Sequence, residues 1–241
     1  MILECDIGNT CCKWRVVDGR RIVERGSFAL VDGFKSLVLT TQVERIRVGC
    51  VVEGGNLAGF AGFCDQEGVS PEFAQSTPEV AGVVNAYQDA GKLGVDRWLG
   101  AVAGYKRIKG AVLVIDAGTA LKADLVSADG RHLGGYIAPG MGLMESSLFS
   151  GTDQVRFDRQ DSSAGVAFGC ATADAVNAGI LAAQVGAVTV AIAEAKRRIP
   201  EGFAILLTGG DSASIDSALN ETYSIERVPD LVLDGLQWLL P

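Results

Sequence analysis

The chain is predicted to be an α/β protein of two duplicated halves, each with a mixed sheet flanked by helices. Three observations lead there. Val112-Leu113-Val114-Ile115-Asp116-Ala117-Gly118-Thr119 repeats the order of Ile2-Leu3-Glu4-Cys5-Asp6-Ile7-Gly8-Asn9-Thr10: apolar strand, acid, any residue, glycine, small polar residues. Each copy is followed by Asp-Gly-Arg, at Asp18-Gly19-Arg20 and Asp129-Gly130-Arg131, 12 and 13 residues after its acid. A lone D-x-G turn is an ordinary hairpin signal, but repetition of the turn, its flanking strands and the next hairpin points to an internal duplication. Finally, 48% apolar residues and 31 glycines suit alternating strands and helices joined by tight turns.

A chain of 241 residues accommodates two such halves, an N-terminal one over 1–108 and a C-terminal one over 109–241. The formal net charge of −8 and the lack of any offsetting basic run argue against nucleic acid as a partner. Lys196-Arg197-Arg198 ends a predicted helix and complements its dipole. Glu4 and Asp6 interrupt the apolar start, which therefore does not read as a signal peptide. The apolar stretch near 175–193 is too rich in Ala and Gly to suggest a membrane span. Cys5, Cys11, Cys12, Cys50, Cys64 and Cys170 lack metal-ligand spacing and read as reduced thiols of a cytoplasmic protein. His132 is the only histidine, so histidine triads are excluded and acid–base chemistry falls to carboxylates.

In chain order, a strand from Ile2 reverses at 6–10 and returns through Trp14, Val16 and Val17. An amphipathic segment near 33–43 precedes a buried strand over 46–52. Residues 54–66 read as a Gly-started helix with Leu57, Phe60 and Phe63 on one side. A short strand and loop span 71–78, and 82–93 form a polar connection carrying Asn85, Tyr87 and Asp89. Gly94-Val95-Asp96-Arg97-Trp98 opens a helix running to about Tyr105. The second half repeats the strands, then reaches a helix over about 142–149 and a polar, mobile loop over 151–167. A long helix covers 170–199, with a break expected near Gly186, and its Ala, Gly and Val rows suit close packing on another helix, in this chain or in a second subunit. A buried strand over 203–207 turns through Thr208-Gly209-Gly210-Asp211 into a helix. A short strand near 223–228 and a Leu/Trp-rich helix after Pro229 close the chain.

Candidate chemistry concentrates at the turns. In the first, Gly8 permits close backbone approach, and Asn9 and Thr10 add side-chain donors. Asp6 could hold a hydrated Mg²⁺, and Lys13 could neutralise a terminal phosphate. Two such turns could face each other across a cleft and grip a polyphosphate. Asp96, near a helix N-terminus, is favoured as the ionised carboxylate and could accept a proton from an attacking hydroxyl. Arg97 could bind a substrate carboxylate in bidentate fashion. Capping is the competing explanation for Asp96 and for Thr172, and a tight strand-to-helix turn for Gly209 and Gly210.

Together these motifs resemble a known group. Two D-x-G turns with a late T-G-G turn look like the actin-like ATPase and sugar-kinase superfamily, whose halves are ribonuclease-H-like. The spellings D-I-G-N-T-x-x-K at 6–13, G-V-D-R-W at 94–98, D-A-G-T-A at 116–120, G-G-Y-I-x-P-G at 134–140 and T-G-G-D at 208–211 resemble, in order, type III pantothenate kinases. That resemblance implies ATP-dependent phosphorylation of pantothenate at its terminal hydroxyl, the first step of coenzyme A synthesis. It implies an ATP site built from Asp6, Ile7, Gly8, Asn9, Thr10, Cys11, Cys12 and Lys13, with Gly118, Thr119, Gly209 and Gly210. Asp6 would position Mg²⁺ and Asp116 a monovalent cation, K⁺ or NH₄⁺. Pantothenate would meet Tyr87, Gly94, Val95, Asp96 and Arg97, with Asp96 as general base and Thr172 contributed across a homodimer interface. Lys122 departs from the family, whose members commonly carry Thr there. Its ammonium could partly replace the monovalent cation, or it could be a solvent-facing strand lysine.

Overall fold

A computed structural model describes residues 1–52, 57–151 and 165–241, with Ala58 described by its backbone alone. The chain divides into two compact units, Met1–Lys106 with Asp230–Pro241, and Arg107–Pro229. The division expected from the sequence left the closing helix with the second half. The structure packs it with the first.

The first unit holds a five-stranded sheet in the order β3-β2-β1-β4-β5. Its strands are β1 (Ile2–Ile7), β2 (Cys11–Asp18), β3 (Arg21–Ala29), β4 (Arg45–Cys50) and β5 (Pro71–Phe73). β1 pairs antiparallel with β2 and parallel with β4, so the D-x-G turn is a hairpin and the link to β4 a crossover. Leu3, Cys5 and Ile7 project to one face, where they meet Phe60 and Phe63 of α1 (Ala58–Glu67) together with Phe34. Phe60 meets Phe34, Phe63 and Phe73, and Phe34 meets Phe28 edge-on, with ring centroids 5.0 to 6.3 Å apart. The amphipathic segment near 33–43 is no regular helix. It follows one short 3₁₀ turn at 30–32, makes another at 34–36, and buries Phe34, Leu37 and Val43.

By the alternation of a strand, Glu4 and Asp6 project to the opposite face. That face carries α2 (Val95–Ile108) and, after the second unit, α6 (Leu231–Leu239). Leu99 packs with Val232, Leu233 and Leu236. A Cβ on Gly235 would lie 2.5 Å from the Leu99 carbonyl oxygen, so the α2–α6 crossing requires glycine. Glu4 is buried there as an ion, and its oxygens accept from Arg15 at 2.7 Å and Arg47 at 3.3 Å. Arg15 also donates to Asp234 of α6 at 2.7 Å. These charges fasten the end of the chain to its first two strands.

The second unit repeats the pattern. Its sheet runs β10-β9-β8-β11-β12, with β8 (Val112–Ala117), β9 (Ala120–Val126), β10 (His132–Pro139), β11 (Ala204–Thr208) and β12 (Glu226–Arg227). Leu113, Ile115 and Ala117 take the places of Leu3, Cys5 and Ile7. They pack under Val188, Ala191, Ile192 and Ala195 of α4 (Thr172–Arg198) and Ile215 of α5 (Ser212–Leu219). The helix is continuous through Gly186. Buried Gln184 donates to the Pro139 carbonyl at 2.8 Å and so ties α4 to the end of β10. By length and composition α4 could cross a membrane, but it buries Ala178, Ile180, Gln184, Val188, Ala191, Ile192 and Ala195. α3 (Met141–Gly151) lies along it. The loop expected over 151–167 falls mostly outside the described residues, as does the glycine-rich start of the 54–66 helix.

Candidate active site

The first turn is three residues, Gly8-Asn9-Thr10, closed by the Gly8 amide donating to the Cys11 carbonyl at 3.0 Å. The Thr10 carbonyl accepts from Leu30 at 2.9 Å, which anchors the turn to the end of β3. Asn9 and Thr10 are exposed, and Gly8, Cys11 and Lys13 half-buried. Ile7 and Cys12 are fully buried in the core, so of their polar groups only the backbone could meet a ligand. Asp6 and Lys13 stand opposite each other in the β1–β2 register. Burial pushes the Cys11 thiol above its usual range, and neighbouring Cys12 adds to this, so Cys11 brings no anion to the turn at neutral pH.

Asp6 shares its face of the sheet with α2, and the chain of contacts between them is short. Asp6 pairs in register with Gly49 of β4. Above Gly49 lies Leu99, whose Cδ1 is 2.7 Å from where a Cβ would stand. Leu99 is less than one helical turn past Asp96. Asp96 sits in the first turn of α2, half-buried, and its Oδ1 accepts from the Arg97 amide at 2.8 Å. A Cβ on Gly94 would be 2.9 Å from that oxygen, so Gly94 leaves room for the carboxylate.

Arg97 is 6% exposed, and its Nη1 donates to the Tyr87 hydroxyl at 3.0 Å. Its guanidinium carbon lies 5.9 Å from the Tyr87 ring centroid. The Tyr87 loop is fixed in turn: Asn85 accepts from the Tyr87 amide at 2.9 Å and donates to the Thr77 carbonyl at 3.2 Å. Tyr87, Gly94, Val95, Asp96 and Arg97 are therefore one local assembly, and the polar connection around 82–93 is its wall. Sequence reasoning named Asn85 only as a loop residue and missed its anchoring part. An Asx residue two positions before a tyrosine was the available signal.

In the second unit the turn is Gly118-Thr119, closed by Gly118 donating to the Ala120 carbonyl at 3.2 Å. Gly140 backs it: its amide donates to the Thr119 carbonyl at 3.0 Å, and a Cβ there would lie 2.2 Å from the Gly118 oxygen. Gly209 stands on the other side, with φ +96° and a Cβ position 2.2 Å from the Ala117 oxygen. The Asp211 amide donates to that same oxygen at 2.9 Å. Gly209 thus has a structural reason to be glycine, whereas nothing lies within 4 Å of a Cβ on Gly210. Asp116 is flanked by Thr208 on β11 and Lys122 on β9, and Lys122 Nζ is 2.7 Å from its Oδ2.

Thr172 begins α4, but the cap position is Ala171 and carries no side-chain cap bond. Thr172 is exposed and lines a groove of about 810 Å³ between α3 and α4, with Leu143, Met144, Leu148, Val176 and Ile180.

Comparison with known proteins gives the family. The model of the family described as type III pantothenate kinase matches residues 2–194. The chain belongs to the type III pantothenate kinase family. Curated members of that name from Ectopseudomonas mendocina and Pseudomonas putida are 40% and 39% identical to it, over the whole chain and 99% of their own length. Among solved structures, a Campylobacter jejuni protein of the Baf family aligns with TM-score 0.59 at 23% identity, covering 98% of this chain and 95% of that one. A Sinorhizobium meliloti protein described as a 2-dehydro-3-deoxygalactonokinase aligns with TM-score 0.56 at 14% identity, covering 98% and 97%. These likenesses show the fold alone, the mixed α/β arrangement of two sheets flanked by helices that the duplicated turns led us to expect.

Proposed function

We propose that this chain transfers the terminal phosphoryl group of ATP to the terminal hydroxyl of pantothenate, the first step of coenzyme A biosynthesis, with Asp96 as general base. The observation that carries the reading is the Tyr87–Arg97–Asp96 assembly at the head of α2, on the Asp6 face of its sheet. Arg97, held by the Tyr87 hydroxyl, fits a carboxylate such as that of pantothenate. Asp96 presents an anionic oxygen to an alcohol, and late proton transfer is all the base need supply in phosphoryl transfer. Lys13, Asn9, Thr10 and the amides of the first turn offset phosphate charge, and Thr119, Gly118, Gly209 and Gly210 serve the nucleotide.

The donor set fits Mg²⁺. Among the described residues no group of three or more His, Cys, Asp or Glu could hold a metal alone. A single carboxylate, Asp6, is how Mg²⁺ is commonly held when phosphates and waters fill its remaining positions. When bound, the ion would neutralise phosphate charge. A free monovalent cation at Asp116 fits less well, because that carboxylate already contacts Lys122.

The enzyme is proposed to work as a cytoplasmic homodimer. The apolar groove between α3 and α4, and the length of α4 left uncovered on one side, support a second copy there. Thr172 on the groove is where a subunit could reach its partner's substrate. An assay of ATP consumption with and without pantothenate tests the reading. Turnover only with pantothenate is expected. Equal turnover with other small alcohols, or ATP binding without turnover, would overturn it.

A further inference from the structure

The duplication carries information that neither half shows alone. Across the first sheet one row of paired residues reads Ser27, Lys13, Asp6, Gly49 on β3, β2, β1 and β4. Across the second, the matching row reads Ile137, Lys122, Asp116, Thr208 on β10, β9, β8 and β11. Lys122 is therefore the counterpart of Lys13. The correspondence is obscured in the sequence because the second turn is one residue shorter, two against three. Lys13 follows its acid by seven positions and Lys122 by six. Lys122 is not a solvent-facing strand lysine: its side chain is 15% exposed and that of Asp116 19%.

A half-buried carboxylate at a phosphate-binding turn is an electrostatic liability. An incoming polyphosphate would meet a like charge unless a cation stood beside it. We propose that the Lys122 ammonium is that cation, covalently supplied. It holds Asp116 and gives the second turn the positive charge that a free K⁺ or NH₄⁺ would otherwise bring, so nucleotide binding by this chain does not depend on monovalent salt. Lys122 is a positioning residue for the nucleotide. The inference rests on the reading that the second turn serves ATP, but not on pantothenate as acceptor.

Calorimetric titration of the full chain with Mg-ATP tests it, comparing potassium chloride with tetramethylammonium chloride at equal ionic strength. Wild-type affinity is expected to be the same in both salts. Lys122→Met removes a charge-assisted contact, so it should weaken ATP binding by about tenfold or more in tetramethylammonium, and K⁺ or NH₄⁺ should recover part of the loss. A wild-type chain that binds ATP only with potassium overturns the proposal. So does a Lys122→Met chain that binds normally in both salts, or one whose loss neither K⁺ nor NH₄⁺ relieves. Should Lys122→Met fail to fold, the wild-type salt comparison still decides. Absence of ATP binding in every salt would instead refute the kinase reading itself.

Discussion

The Arg97–Tyr87 pair allows a prediction with a worked size. Tyr87→Phe keeps the ring under the guanidinium and removes only the hydroxyl that accepts from Nη1 at 3.0 Å. A hydrogen bond to a charged group contributes roughly 1.5 to 3 kcal/mol, and the lower end applies because Tyr87 is 36% exposed. Discounted for that exposure to about 1 kcal/mol, the loss corresponds to a fivefold rise in KM for pantothenate, with kcat nearly unchanged. Arg97→Lys removes the planar fork itself and is expected to raise KM by about ten to a hundredfold. Because Tyr87 acts through Arg97, the double variant should lose little more than Arg97→Lys alone. Steady-state kinetics at saturating ATP measure all three. Multiplicative losses, or a Tyr87→Phe enzyme with unchanged KM, would refute a tyrosine that orients the carboxylate-binding arginine.

Other expectations concern the frame of the site. Arg15→Met leaves Glu4 buried with only its 3.3 Å contact to Arg47 and takes the partner from Asp234, so urea unfolding should show a loss of about 3 kcal/mol, the low end for breaking a buried pair. Gly209→Ala drives a Cβ against the Ala117 carbonyl at a positive φ and should cost about 2 to 4 kcal/mol, whereas Gly210→Ala meets open space and should leave stability unchanged. Any loss of ATP affinity in Gly210→Ala then reports on the ligand. Burial raises Cys64 to about 11, and Cys5, Cys11 and Cys50 also lie above their ordinary value. The folded chain therefore keeps thiol protons that the unfolded chain has lost. Stability should fall as pH rises from the ordinary thiol range towards 11, and Cys64→Ala should flatten that fall when melting is followed against pH.

The duplicated turns were legible because a strand's alternation and a D-x-G spelling are local. From them the strands of both sheets, the buried faces at Leu3 and Leu113, and the head of α2 at Asp96 could be read. Phe60 and Phe63 announced the buried side of α1 by their spacing alone. What could not be read depends on partners distant in sequence. The Leu/Trp-rich closing helix shows an apolar side, but nothing local says that Asp234 will meet Arg15 and Gly235 the backbone of Leu99. Gly186 suggested a break in α4, and tertiary packing of the flanking Val185 and Val188 overrode that weak helix preference. Lys122 looked like an isolated departure because its equivalence to Lys13 is a property of register. The glycines at 209 and 140 carried a functional spelling whose immediate cause is backbone crowding against the second turn.

Phosphoryl transfer by this chain turns on Asp96 accepting the proton of the pantothenate hydroxyl. Rapid-quench measurement of a single turnover in Asp96→Asn, with ATP affinity measured in parallel, addresses this directly. Nucleotide affinity should be unchanged and the transfer rate lower by about two to four orders of magnitude, the usual contribution of a positioned base. An Asp96→Asn chain that forms 4'-phosphopantothenate at the wild-type rate would contradict it.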